Sequence, residues 1–292
     1  MGGGVNVFLE SLVEGFSDAA VYMVLAAGLA LIFGVLQLLN FAQGDVMSLA
    51  AYVCLSTVSV TSNFIPLLIA VAVGLGAAFG VVFYVGIVQP LRRHDHRSQL
   101  VATYGLSLVI QGVIFLVWTG EPRSITQNAN SVSLGSVHIG YTTLLNVVLA
   151  ALSLGAVGLL LARTSLGRRI RATSQNRMMA ELTGINTWVP EITAVVLGMM
   201  LSGVGGVMLL EYSQLQPSIG FSSITNAFAI VIIAGPGAPI RAIVGVCIAL
   251  SLLSSLVGTY VSFTLGSLVF FGAIIVALVI RPAGVGARAL RT

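Results

Sequence analysis

The chain reads as an all-α polytopic transmembrane helical bundle, and three observations carry that expectation. Its mean hydropathy is +1.05. Charged residues make up 8% of the 292, against about 25% in an ordinary soluble domain. The charge-free intervals are long: 19–44, 46–91, 98–120, 124–162, 192–210, 212–240 and 242–280. A spanning helix needs roughly 20 predominantly apolar residues, so each interval holds one or two. Barrel strands would alternate polar and apolar over about ten residues, and runs such as VVLAALSLGAVGLLLA do not. Hydrocarbon then leaves helices, whose backbone polar groups are satisfied internally.

Taken in order, residues 5–18 (VNVFLESLVEGFSD) place Val5, Phe8, Leu9, Leu12 and Phe16 on one helical face, with Asn6, Glu10, Glu14 and Asp18 away from it. This pattern predicts a short amphipathic helix lying in the interface. No secretory signal is evident, since a basic n-region is missing. Spans are expected over 19–39, 46–62, 65–88, 98–118, 142–162, 189–210, 224–239, 241–258 and 262–280. That is about nine, within a range of eight to ten, all in a single transmembrane domain covering 1–292. The seventh is weak. It follows the polar lead SQLQPSIGFSSITN and ends in GPGAP, so a short or broken helix is expected there.

All thirteen basic residues are arginine. Arg92, Arg93 and Arg97 follow the third expected span; Arg163, Arg168, Arg169, Arg171 and Arg177 follow the fifth. Arg241 follows the seventh, and Arg281, Arg288 and Arg291 the ninth, leaving Arg123 as the exception. Basic residues accumulate on the cytoplasmic side. The N-terminus is therefore expected outside, with the C-terminus and the 164–187 loop inside. The absence of lysine excludes a nucleotide-binding P-loop, whose lysine holds the phosphates. Cys54 and Cys247 fall inside expected spans as small packing residues. His94, His96 and His138 fall in loops without further ligands, so no metal site is expected.

Four polar or small-residue signals stand out. The 164–187 loop contains GRRIRATSQNRMMAELTGIN, longer than the roughly two to eight residues of an ordinary helix connection. Its composition predicts a cytoplasmic helix over 168–182, with an apolar side formed by Ala172, Met178, Met179, Ala180 and Leu182, and Gly184 as its stop. Residues 39–45, LNFAQGD, read by their chemistry as a turn between the first two spans. The pairs Gly76/Gly80 and Ser202/Gly206 have the spacing that brings helices close in lipid. Ser223, Asn226, Gly235 and Gly237 mark the weak seventh span as a candidate translocation pathway, because irregular backbone at membrane depth is tolerated where it lines a cavity.

The ordered set LNFAQGDV, QPLRR, GRRIRATSQNRMMAELTGIN and PSIGF with AGPGAP resembles the permeases of high-affinity branched-chain amino-acid ABC importers over nearly the whole chain. On that resemblance Asn40, Phe41, Gln43, Gly44 and Asp45 match the family signature, with Gln43 standing where the family has histidine. Arg168, Arg169, Arg171, Ala172, Asn176, Ala180, Gly184 and Ile185 match the loop that seats against an ATPase. The resemblance implies a subunit of the cytoplasmic (inner) membrane with no catalytic residues, moving a branched-chain amino acid or a related amide or carboxylic acid. It also implies a second homologous permease, two ATP-binding-cassette subunits that hold the ATP and Mg, an external solute-binding protein, and no nucleic acid. The alternative is an ion-coupled secondary transporter. That reading calls for acidic residues within spans, whereas each Asp and Glu here sits at an expected span edge or loop.

Overall fold

The computed structural model describes residues 2–61, 64–91, 96–123, 131–134, 137–212, 214–235 and 238–280. It is helical throughout apart from one small hairpin. The helices are α1 (Gly2–Leu36), α2 (Ala42–Thr61), α3 (Ile65–Phe83), α4 (Gln89–Leu91), α5 (His96–Trp118), α6 (Tyr141–Arg163), α7 (Ser165–Gln175), α8 (Arg177–Leu182), α9 (Trp188–Tyr212), α10 (Ile219–Ala234), α11 (Ile240–Tyr260) and α12 (Phe263–Ile280). A π-helical turn, Tyr84–Val88, carries α3 into α4 without a break. Among the described residues, six helical segments are long and apolar enough to cross a membrane: Asn6–Leu36, Ile65–Leu91, Arg97–Trp118, Tyr141–Arg163, Trp188–Glu211 and Ile240–Tyr260. Ile219–Ala234 and Thr264–Ala277 are shorter apolar helices. The chain is thus a multi-pass membrane protein.

Three elements differ from the sequence reading. Residues 5–18 do not form a separate helix; they are the first turns of the 35-residue α1. Glu10 and Glu14 stay exposed, while the buried Ser11 packs on α11, its hydroxyl meeting that of Thr259 at 3.1 Å and its carbonyl accepting from Ser255 at 2.7 Å. The seventh helix runs over 219–234 rather than 224–239. Its serine- and threonine-rich lead is helical, and the hydroxyls of Ser222, Ser223 and Thr225 are satisfied there by carbonyls about one turn back. Finally, β1 (Ser131–Leu134) pairs antiparallel with β2 (Val137–Gly140), with Ser131 opposite Gly140 and Leu134 opposite Val137. The alternation in SVSL and VHIG around Gly135-Ser136 was the available signal.

The bundle is organised around α9, which packs against α1, α2 and α3. Glycines make these contacts possible. A Cβ on Gly28 would lie 2.8 Å from the Gly198 carbonyl oxygen, and one on Gly206 would lie 2.6 Å from that of Met47. A Cβ on Gly80 would lie 2.8 Å from the Val196 Cα. In lipid, where apolar side chains gain little by leaving the acyl chains, such close backbone approach supplies the packing energy.

Candidate functional site: a two-helix element and a buried polar crossing

The arginine-rich island is not one helix over 168–182. It is α7 and α8, divided at Asn176, which is extended (φ −159, ψ 106) and accepts a hydrogen bond from the Met179 N–H at 3.0 Å. Asparagine is a favoured N-cap, and here it starts a second helix. The end of α8 carries a paired cap. The Ile185 N–H reaches the Ala180 carbonyl and the Gly184 N–H reaches that of Glu181, both at 3.0 Å, with Gly184 at φ +81. This glycine adopts the left-handed conformation that closes a helix. At the other end, Thr164 caps α7 by accepting from the Gly167 N–H at 3.0 Å. A Cβ on Gly167 would collide with the Leu160 and Leu161 carbonyls.

α7 is anchored to its own chain. Ile170 is buried with Val35 of α1 and Ala194 of α9, and the Arg171 guanidinium donates to the Leu161 carbonyl. Ala180, expected on an outward apolar side, is only 4% exposed. The exposed apolar residues are instead Met178 (72%), Met179 (55%) and Leu182 (75%). The same two-helix element carries the exposed Arg168, Arg169 and Arg177.

A buried carboxylate ties this element to the bundle. Glu191, in the first turn of α9, accepts from the Tyr84 hydroxyl at 3.0 Å and lies 3.7 Å from the Arg177 guanidinium. Arg177 also pairs with Glu181 at 3.0 Å, and the Thr187 hydroxyl donates to Glu181 at the same distance. Trp188 meets the Tyr84 ring edge-on at 6.1 Å. A displacement of α8 therefore pulls on both α9 and the π-helical turn after α3. Between these parts lies a cavity of about 540 Å³, bounded by the end of α1, the Ile87–Leu91 stretch, the start of α5 and the α7–α8 junction. Gln37, Gln99, Thr103, Asn176 and Arg177 give it a polar wall.

The LNFAQGD segment is more than a surface turn. α1 ends at Gln37, a non-glycine residue at φ 53, and the chain then runs back into the bundle. Gln43 is fully buried and its amide donates to the Leu25 carbonyl at 3.3 Å, roughly three turns before the end of α1. Gly44 and Gly220 meet backbone to backbone, since a Cβ at either would collide with the other's carbonyl. The first turns of α2 and α10 thus touch inside the protein. Asp45 keeps its expected place at a helix edge, in the first turn of α2, but that edge lies inside the protein. It is fully buried, accepts from the Ser107 hydroxyl, and accepts from the Gln111 amide at 3.1 Å. Asn40 is fully buried as well, and neither atom of its side-chain amide has a hydrogen-bond partner among the described residues.

Of the residues expected along the seventh span, Ser223 is buried against its own helix and donates to the Ile219 carbonyl at 2.8 Å. The Asn226 amide donates to the Tyr22 hydroxyl at 3.1 Å, and Gly235 ends α10 at φ 93. Gly237 lies outside the described residues. Cys54 and Cys247 are buried free thiols.

The family described as "Branched-chain amino acid transport system / permease component" matches residues 11–279. The chain belongs to this family. It is 26% identical to the high-affinity branched-chain amino acid transport system permease protein BraD of Pseudomonas aeruginosa, over 95% of both chains. It is 25% identical to LivH, the permease protein of the same description in Escherichia coli, again over 95% of both. A probable branched-chain amino acid transport permease of Methanocaldococcus jannaschii is 26% identical over 73% of this chain and 70% of that one. The likeness to the solved structure of PsaBC from Streptococcus pneumoniae in complex with Fab is weak, with a TM-score of 0.49 and 12% identity over 92% of this chain and 91% of that one. Family membership makes this a transport permease rather than an enzyme.

Proposed function

We propose that the chain is the membrane-spanning subunit of an ATP-driven importer in the cytoplasmic membrane, with a branched-chain amino acid or a related small amide or carboxylic acid as its solute. The family and its relatives' names support the solute class. The observation that carries the ATP-driven part is the α7–α8 element. It presents three exposed apolar side chains, Met178, Met179 and Leu182, among arginines. Its inner side is fastened to α1 and α9, and through Glu191 to the π-helical turn after α3. Apolar anchors in an arginine rim suit a groove with carboxylates on its edge, because guanidinium makes forked contacts with them. Two ATPase subunits, binding ATP and Mg, supply that groove. A second homologous permease and an external solute-binding protein complete the assembly. The six long apolar segments, taken together with α2, α10 and α12, are read as nine crossings, with the N-terminus outside and the 164–187 segment and C-terminus inside.

Met178→Asp with Leu182→Asp tests this directly. The two side chains are exposed, so the spans should stay intact while the ATPase subunits fail to co-purify. Solute-stimulated ATP hydrolysis should fall by roughly tenfold or more, as loss of a hot-spot contact of about 2 kcal/mol implies. Full co-purification and full stimulated hydrolysis would sink the reading. Sidedness is checked by single cysteines in place of Ser174 and Glu121, both exposed: the first should be labelled only from the cytoplasm and the second only from outside.

A further inference from the structure

We propose that Asp45 and the aromatic rings beside it form an intramembrane subsite for a zwitterionic amino acid with an apolar side chain, the carboxylate receiving the ammonium group. The inference rests on the import reading above and sharpens it to a residue.

Asp45 is a buried carboxylate inside the bundle, held by two neutral donors, Ser107 and Gln111. Among the described residues no Arg or His makes an ion pair with it. Burying a carboxylate without a counter-charge is costly, and an ionisable group in the membrane interior generally marks a pathway. A cation arriving with the solute would supply the missing partner. Ser107 and Gln111 lie one turn apart on α5 and bond each other at 3.3 Å, so the carboxylate is already oriented when the cation arrives.

The apolar half of the site lies one turn away along the same seam. Phe41 lies in the turn just before α2, four residues ahead of Asp45, and Tyr104 precedes Ser107 by one turn on α5. Phe41 meets Tyr104 edge-on at 6.1 Å and lies between Phe221 and Phe228 of α10, with centroids 6.4 and 4.9 Å away. Tyr104 is 44% exposed, which leaves the aromatic set open on one side. Asn40 adds a second pointer to a polar guest, because both of its side-chain amide atoms are buried and unpartnered. The Gly44–Gly220 contact joins the two helix starts that carry Phe41 and Phe221. Separating α2 from α10 would therefore open the aromatic set and Asp45 together.

The test uses the whole importer in proteoliposomes, with its ATPase subunits and binding protein, and tritiated leucine as the probe. Asp45→Asn keeps the shape and removes the charge; its amide oxygen can still accept from Gln111, while its NH2 faces the Ser107 hydroxyl, which can turn from donor to acceptor. Leucine taken up per ATP hydrolysed should fall by roughly tenfold or more, the loss expected of one charge-assisted hydrogen bond, and Asp45→Glu should recover part of it. A group that only ties α2 to α5 would still bridge Gln111 and Ser107 through the neutral amide once the serine hydroxyl accepts rather than donates. Uptake per ATP in Asp45→Asn within about twofold of wild type overturns the site while leaving the import reading in place. Absence of leucine uptake by the wild-type assembly overturns the import reading and the site with it. Should Asp45→Asn not assemble, Tyr104→Ala at the open edge decides. A reduced preference for leucine over alanine supports the subsite, and an unchanged preference overturns it.

Discussion

α9 and α5 are equally apolar over their most hydrophobic stretches, yet 72% of that stretch is buried inside the protein in α9 and 22% in α5. Hydropathy places both in the membrane without saying which is central. The difference lies in the small residues. Gly198, Gly203, Gly205 and Gly206 of α9 each lie against a neighbouring helix, whereas a Cβ on Gly105 or Gly112 of α5 would meet open space. In a bilayer, greasy surface is satisfied equally by lipid, so position in the bundle is set by how closely backbones can approach.

The largest expected effect tests that contrast directly. A side chain at Gly203 would run into the Ala72 backbone of α3, which cannot move aside as a flexible side chain can. Gly203→Leu should cost about 3 kcal/mol or more and prevent recovery of monodisperse protein. Gly112→Leu should melt no lower than wild type, since leucine is the better helix former. Size-exclusion profiles and thermal melts of the two variants give the comparison, and equal damage from both would break it. A middle-sized effect is expected where α9 holds α8. Glu191→Gln removes the carboxylate that pairs with Arg177 and accepts from Tyr84. Hydrogen bonds to charged groups contribute about 1.5–3 kcal/mol. Amides over 177–182 should therefore exchange faster while those of α5 keep their protection. The smallest effect belongs to α5, whose Trp118 indole N–H donates to the Ser56 hydroxyl at 2.8 Å near the surface. Trp118→Phe should lower stability by about 1 kcal/mol, read as a shift in melting temperature.

The long helices were legible because the chain itself announces them. Charge-free runs bounded by charged residues fall on helices at nearly every expected position. What sequence could not supply was context for polar residues. The FSSIT lead of α10 looks like loop, yet its hydroxyls bond their own helix. Asn176 reads as one more polar residue in a helix-friendly run, although an asparagine three residues before Met179 is also the signature of a cap. Ala180 and Met178 carry the same apolar label, and only the docked position of α8 separates the buried one from the exposed one. Asp45 sits among turn-forming residues and was read accordingly. Its burial depends on the chain turning inward after Gln37, a tertiary event with no local signal.

The length of α1 has a mechanical consequence. Its 35 residues extend about 52 Å at about 1.5 Å per residue, against a hydrocarbon thickness of about 30 Å. Its sequence contains no proline at which to kink. Such a rod must lean or stand proud of the lipid, and when one end is pushed the far end swings by a comparable distance. The far end here is Gly34–Leu36, part of the wall of the cavity beside α7 and α8. The N-terminal end of α1 and the cavity wall beside α7 and α8 are thereby joined by a single continuous strut.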